Sequence, residues 1–178
     1  MENELPPLDV ERIVTAFVRH GVDFLVVGGV AGQIHGAERT TQDLDAVVQY
    51  GHANLERLVA AMRELGARIR AEGFADYLAK QAAASMLHPE MFTHGEITTW
   101  TTDGGPLDIL HDMPDRDGTR RTYEELTPTS RRGVVAGVSV RVVGLSELIA
   151  SKEWANRPKD REALPELRSL LIDEAFGE

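Results

Sequence analysis

The sequence predicts one domain of the α/β (α+β) class, in which helices pack against a sheet. Three observations predict it. Phe24-Leu25-Val26-Val27 is a short, wholly apolar run that stops at Gly28-Gly29, as a buried strand ending in a turn does. A second apolar strand, within Thr41 to Val48, is opened by carboxylates at Asp43 and Asp45. Apolar residues recur at helical spacing in Val10, Ile13, Val14, Phe17 and Val18, and again in Leu55, Leu58, Val59, Met62 and Leu65. At 178 residues, 42% of them hydrophobic and 27% charged, the chain is long enough to bury one sizeable core. Residues 1–143 read as the core unit and 144–178 as a C-terminal helical segment.

Each element has a local cause. Asp9 is a natural N-cap for the first helix and Gly21 its stop. Asp23 to Val27 forms the buried strand, and Val30 to His35 a short helix that starts against the double glycine and closes at Gly36. His35, beside that glycine, suits a structural hydrogen bond better than a metal. Asn54 starts the next helix, which ends at Gly66, and Ala67 to Arg70 is a short strand. Phe74 to Leu87 is alanine-rich and helix-compatible but poorly patterned. His88 and His94 lack a convincing third ligand for zinc. Glu96 to Thr101 and Leu107 to Leu110 form a hairpin around Asp103-Gly104-Gly105-Pro106. The following stretch through Arg121, rich in Asp, Arg and Gly, reads as a polar loop and mobile cover over the site. Val134 to Val143 is a second hairpin turning at Gly137. Ser146 caps a helix carrying Leu148, Ile149 and Lys152, and Pro158 starts another through Leu171 with Asp160 in its first turn.

The chemistry collects around the double glycine and the acidic pair. Gly28 and Gly29 have no Cβ, so backbone N–H groups there can approach an anion: a phosphate seat. In a strand, Asp43 and Asp45 project to one face with Cα atoms roughly 6.7 Å apart, while Leu44 turns to the core. Two carboxylates on one face repel unless a cation sits between them, and Mg²⁺ suits hard oxygen ligands shared with substrate phosphates. Asp108, between Leu107 and Ile109 in an apolar strand, needs a cation or donor partner. Asp112 is a reserve candidate and otherwise a solvated loop residue. Arg39, just upstream of the acidic pair, could fork onto phosphate or onto an aspartate.

Composition narrows the function classes. With 19 Lys and Arg against 29 Asp and Glu, the formal net charge is −10, which argues against coating nucleic acid non-specifically. DNA is not expected as a partner. A local basic patch is still available from Arg68, Arg70, Lys80, Arg116, Arg120, Arg121, Arg131 and Arg132. The absence of cysteine removes disulfides and thiolate metal sites. Met1 to Pro7 is acidic and lacks the apolar core of a signal peptide, and no run approaches the roughly 18 apolar residues of a membrane span. The expected location is the cytoplasm, without a membrane partner.

Gly28-Gly29, a spacer, and Asp43-Leu44-Asp45 together resemble the signature of the nucleotidyltransferase superfamily, the polymerase-beta-like minimal fold. Ala31, His35-Gly36 and Arg39-Thr40-Thr41-Gln42-Asp43-Leu44-Asp45 are similar to the abortive-infection toxin nucleotidyltransferases (type IV) and their bacterial relatives. A second block, Ser151-Lys152-Glu153-Trp154-Ala155-Asn156-Arg157-Pro158-Lys159-Asp160, resembles the C-terminal block of the same group. The resemblance implies a mixed β-sheet packed by helices, its C-terminal helices completing the active site. It implies an NTP substrate bound at Gly28, Gly29, Arg39, Thr41, Lys152 and Asp160. It also implies two Mg²⁺ ions held by Asp43, Asp45 and Asp108, with Lys152 on the phosphates and Asp108 helping to deprotonate an acceptor hydroxyl. A brace between the last two helices is the other reading of Lys152 and Asp160. Many superfamily members carry serine where this chain has Gly29, so a hydroxyl contact to phosphate is missing at that position. Resemblance to the toxins implies RNA, such as the 3′ end of tRNA, as acceptor, with a cognate antitoxin protein as partner. An aminoglycoside or lincosamide antibiotic is the second enzymatic reading, better suited to an acidic surface. A module that holds nucleotide without turnover is the third.

Overall fold

The computed structural model describes residues 5–70, 87–93 and 97–177. The chain runs α1 (Val10–Arg19), β1 (Phe24–Val27), α2 (Gly28–Ile34), β2 (Leu44–Val48), α3 (His52–Glu64) and β3 (Arg68–Ile69). After a 3-10 turn at Pro89–Thr93 come β4 (Ile97–Thr102), β5 (Gly105–Leu110), β6 (Asp112–Pro114), β7 (Arg120–Thr122) and α4 (Tyr123–Leu126). The chain closes with β8 (Arg131–Val135), β9 (Val138–Val142), α5 (Leu145–Ala155) and α6 (Pro158–Phe176). Seven strands form one sheet in the order β3-β4-β5-β2-β1-β9-β8. It is mixed: β2 pairs with β5 and β1 with β9 in parallel, and the other neighbours are antiparallel.

Register assigns the two faces. Phe24, Val26, Leu44, Ala46, Val48, Leu107 and Ile109 share one face by alternation, and Phe24 meets Phe17 of α1 edge-on at 5.1 Å between ring centroids. With α1 and α3 this face forms the main core, closed near β4 by Trp100 against Phe92. The opposite face carries Val27, Asp45 and Asp108 and lies beneath α2, α5 and α6. Both faces are therefore covered, which is why all four residues of β1 are buried and apolar. Among the described residues no helix is long and apolar enough to cross a membrane.

Several elements differ from the sequence-based expectation. α2 begins at Gly28 rather than Val30, its first residue taking the positive φ that glycine permits at the turn out of β1. α3 begins at His52, which puts Asn54 inside it. Asn54 is buried: its Nδ2 donates to the Asp23 and Gln49 carbonyls, and its Oδ1 accepts from the Asp23 N–H at 2.7 Å. An asparagine is thus a tie between β1, β2 and α3 rather than a cap. α5 is capped by Gly144, with Ser146 two residues too late, and α6 continues to Phe176. The hairpin between β4 and β5 turns on Asp103-Gly104 alone.

The polar stretch after β5 is the main correction. It is not a loop but a two-stranded ribbon, β6 against β7. Asp112 is only 8% exposed rather than solvated, ion-paired to Arg120 Nε at 2.7 Å and hydrogen-bonded with His111 Nδ1 at 2.9 Å. The ribbon is fastened to α5: Arg116 Nε meets Glu153 at 2.6 Å, and the turn at Gly118 rests on the Trp154 ring. Short charged side chains hid this pairing from a hydrophobic pattern. The alanine-rich stretch 74–86, Lys80 and His94 lie outside the described residues.

Candidate active site

The site starts with a backbone feature. Gly28 has φ +64°, a left-handed conformation, and a Cβ at this position would collide with the Asp45 carboxylate. Glycine is therefore required twice over, by torsion and by space. Asp45 stands opposite Val27 on β1 and beside Asp108 on β5. Asp43 lies one residue before β2, and its Oδ1 accepts a hydrogen bond from Thr41 Oγ1 at 2.9 Å. Gly28, Gly29, Arg39, Thr41, Asp43, Asp45, Asp108 and Lys152 all line one cavity of about 680 Å³.

The acidic groups feel one another. Burial first, then the charges of Asp43 and Asp108, push the Asp45 carboxyl up to about 7. Burial also raises Asp108 above its ordinary value; Arg70, whose Nη2 donates to Asp108 Oδ1 at 3.3 Å, opposes that rise. Such a set repels itself at neutral pH and fits a hard dication. Among the described residues, however, no three acidic or histidine side chains converge into a ready-made metal cage. The donor set therefore fits an ion such as Mg²⁺, which takes one or two carboxylates and completes its shell with water and substrate phosphate.

The helical wall supplies opposite charge. Asp160 is fully buried and does not line the cavity. Its Oδ1 is 3.4 Å from Lys152 Nζ, and its Oδ2 accepts from Arg157 Nε at 2.6 Å and from the Arg157 backbone N–H. Burial pulls the Asp160 carboxyl upward, but the hydrogen bonds and charge of Arg157, followed by Lys152, outweigh it and hold it below its ordinary value. The helix-to-helix brace is thus present, and Asp160 stands behind Lys152 with both oxygens engaged. Lys152, 17% exposed in its side chain, still reaches the cavity. Arg39 donates to Glu162 at 3.0 Å rather than to either member of the acidic pair.

Sequence reading missed Arg70 as the partner of Asp108, and it missed Arg157 and Lys159. Arg157 is raised chiefly by its hydrogen bond to Asp160, with contributions from Asp45 and Asp43; the charge of Lys159 in turn opposes the rise of both Asp45 and Asp108. Their place on either side of Pro158, at the start of the helix that carries Asp160, was the available signal. From the ribbon, Met113, Pro114 and Arg120 join the cavity wall together with Trp154. Nothing in their residue types announced it.

Solved structures with the same architecture exist. The lincosamide antibiotic adenylyltransferase LnuA, lincomycin-bound, superposes with a TM-score of 0.59 at 11% identity, over 92% of this chain and 99% of that one. The antibiotic-resistance factor ANT(2'')-Ia gives 0.58 at 19% identity, over 91% and 82%. A putative nucleotidyltransferase from Thermotoga maritima gives 0.50 at 16% identity, over 92% and 91%. No protein-family model and no curated protein sequence matches the chain. At these identities the likeness is one of fold: the chain has the nucleotidyltransferase fold.

Proposed function

We propose that the chain is a metal-dependent nucleotidyltransferase that moves a nucleoside monophosphate from an NTP to a hydroxyl of a small acceptor molecule. One observation carries the reading: Val27, Asp45 and Asp108 are in register on three neighbouring strands, with Gly28 bent so closely over Asp45 that no side chain fits between them. Two Mg²⁺ ions, held by Asp43, Asp45 and Asp108, would neutralise charge on the attacking and leaving oxygens of an in-line displacement. This chain's residues supply the rest. Gly28 and Gly29, which line the cavity, would offer backbone N–H groups to the polyphosphate, and Lys152, Arg157 and Lys159 set positive charge on the cavity wall together with Arg39. Asp108, with its raised proton affinity, accepts the proton of the acceptor hydroxyl. The acceptor oxygen bonds to the α-phosphorus, and the bond to pyrophosphate breaks.

A small acceptor is favoured over RNA by the state of the cations. Of the seven arginines from which a basic patch was to be assembled, five, Arg70, Arg116, Arg120, Arg121 and Arg131, are ion-paired to a carboxylate. Among the described residues that leaves Arg68 and Arg132 of the set to neutralise a phosphate backbone, on a chain whose formal net charge is −10. The antibiotic adenylyltransferase among the structural neighbours supports an aminoglycoside- or lincosamide-like acceptor.

The test is incubation of the purified protein with each α-³²P-labelled NTP and Mg²⁺, together with aminoglycosides, lincosamides or total RNA, with Asp43→Ala in parallel. Label on a small molecule, lost in the variant, is expected. Label in RNA would instead make RNA the acceptor and bring back the toxin reading with its antitoxin partner. No label from any NTP would leave a nucleotide-binding module without turnover. In the same assay Gly28→Ala should lose at least about a hundredfold, because the new Cβ displaces Asp45 from its place between Gly28 and Asp108; full activity of a folded Gly28→Ala protein would count against the site.

A further inference from the structure

Thr41 links the two halves of the site in a way their separate descriptions leave out. A Cβ at Gly29 would lie 2.6 Å from both Thr41 Cβ and Thr41 Oγ1, and 3.2 Å from Thr41 Cγ2. The whole threonine side chain therefore stands in the space that a side chain at position 29 would need. From there its hydroxyl donates to Asp43 Oδ1 at 2.9 Å, the shorter and charged choice over the Asp43 carbonyl at 3.4 Å.

Asp43 needs this contact more than its neighbours do. Asp45 and Asp108 are fixed by strand register, but β2 begins only at Leu44, so no ladder pairing holds Asp43. Repulsion from Asp45 would turn its carboxylate away. A β-branched side chain with few χ1 choices, wedged over a glycine, is a stiff support against that. One oxygen of Asp43 is engaged, and the other is left to face the cavity it lines.

We propose that Thr41 is a positioning residue whose hydroxyl holds Asp43 in its ligating orientation, and that residue 29 is glycine because Thr41 occupies its place. The inference rests on the reading of Asp43 as a cation ligand. It explains how a site with glycine at 29 keeps a hydroxyl beside the acidic pair: residue 41, packed over the glycine, supplies it.

Two measurements test it. The first is Mn²⁺ binding, followed by the electron paramagnetic resonance signal of the free ion. Thr41→Val, which keeps the shape and removes the hydroxyl, should weaken Mn²⁺ binding by about tenfold to a hundredfold, the range of one hydrogen bond to a charged group. Thr41→Ser should stay within about threefold of wild type. The second is thermal unfolding of Gly29→Ala, Thr41→Gly and the double variant. Gly29→Ala should lower the melting temperature by the clash, and adding Thr41→Gly should return at least half of that loss while Mn²⁺ affinity stays low, since neither position then carries a hydroxyl. Thr41→Val that binds Mn²⁺ like wild type would overturn the positioning role, and additive melting shifts would overturn the interlock. Wild-type protein that takes up no Mn²⁺ would overturn the cation reading of the acidic pair itself, a distinct failure.

Discussion

Asp45→Asn should abolish nucleotidyl transfer, by about a thousandfold or more, and at the same time make the metal-free protein more stable at pH 8 than wild type. Loss of activity follows from removing the central carboxylate of the set that meets the cation. The gain in stability follows from its proton affinity. The carboxyl is pushed up to about 7 in the fold from an ordinary value of 3.8. Between those pH values the folded chain holds a proton that the unfolded chain has released, so stability falls as pH rises from about 4 to about 7 and stays low above it. At the conversion of about 1.4 kcal/mol per pH unit the whole effect amounts to about 4 kcal/mol at most. Asparagine fills the same volume and carries no charge, so the melting temperature of the variant should fall less than that of wild type across that window, the remaining slope coming from groups such as Asp108. Mg²⁺ added at pH 8 should raise the wild-type melting temperature and leave the variant unmoved. Thermal melts of both proteins at pH 5 and pH 8, with and without Mg²⁺, check it; a wild-type protein that grows more stable over that range would sink the argument.

How much of this was legible in the sequence depends on the kind of signal. Apolar periodicity found α1, β1, β2, α3 and both large hairpins, because burial on a helix face or a sheet face writes itself in spacing. It could not find the ribbon of β6 and β7, where pairing is held by Asp112, Arg120 and His111 and by a tryptophan under a glycine. The acidic residues could be picked out one by one, Asp45 inside an apolar strand and Asp108 inside another, but Asp43, expected within the strand, lies just before it. What joins them was not legible: the register of Asp45 with Asp108 depends on β5 lying beside β2, which no local pattern specifies. The same holds for Arg70 on Asp108 and Thr41 over Gly29, contacts made by residues whose types are ordinary at the surface.

Asp160→Asn should be among the most destabilising single changes in the chain, although the residue touches no substrate in the proposed reaction. Its carboxylate is fully buried, caps the start of α6 through the Arg157 N–H and joins Lys152 to Arg157. Asparagine keeps the size but leaves Lys152, 17% exposed, without its counter-charge. Breaking a buried pair in this way costs about 3–5 kcal/mol, a fall in melting temperature of roughly 6–20 °C for a domain of this length. Because the folded carboxyl is held below its ordinary value, its contribution is present above pH 4 and is lost as pH falls further, opposite in sense to that of Asp45. Lys152→Ala offers the contrast: Arg157 still pairs with Asp160, so the stability cost should be near 1 kcal/mol while the KM for NTP rises at least about tenfold. If the two variants lose stability equally and NTP use is unchanged in Lys152→Ala, then the pair is a brace between α5 and α6 and nothing more.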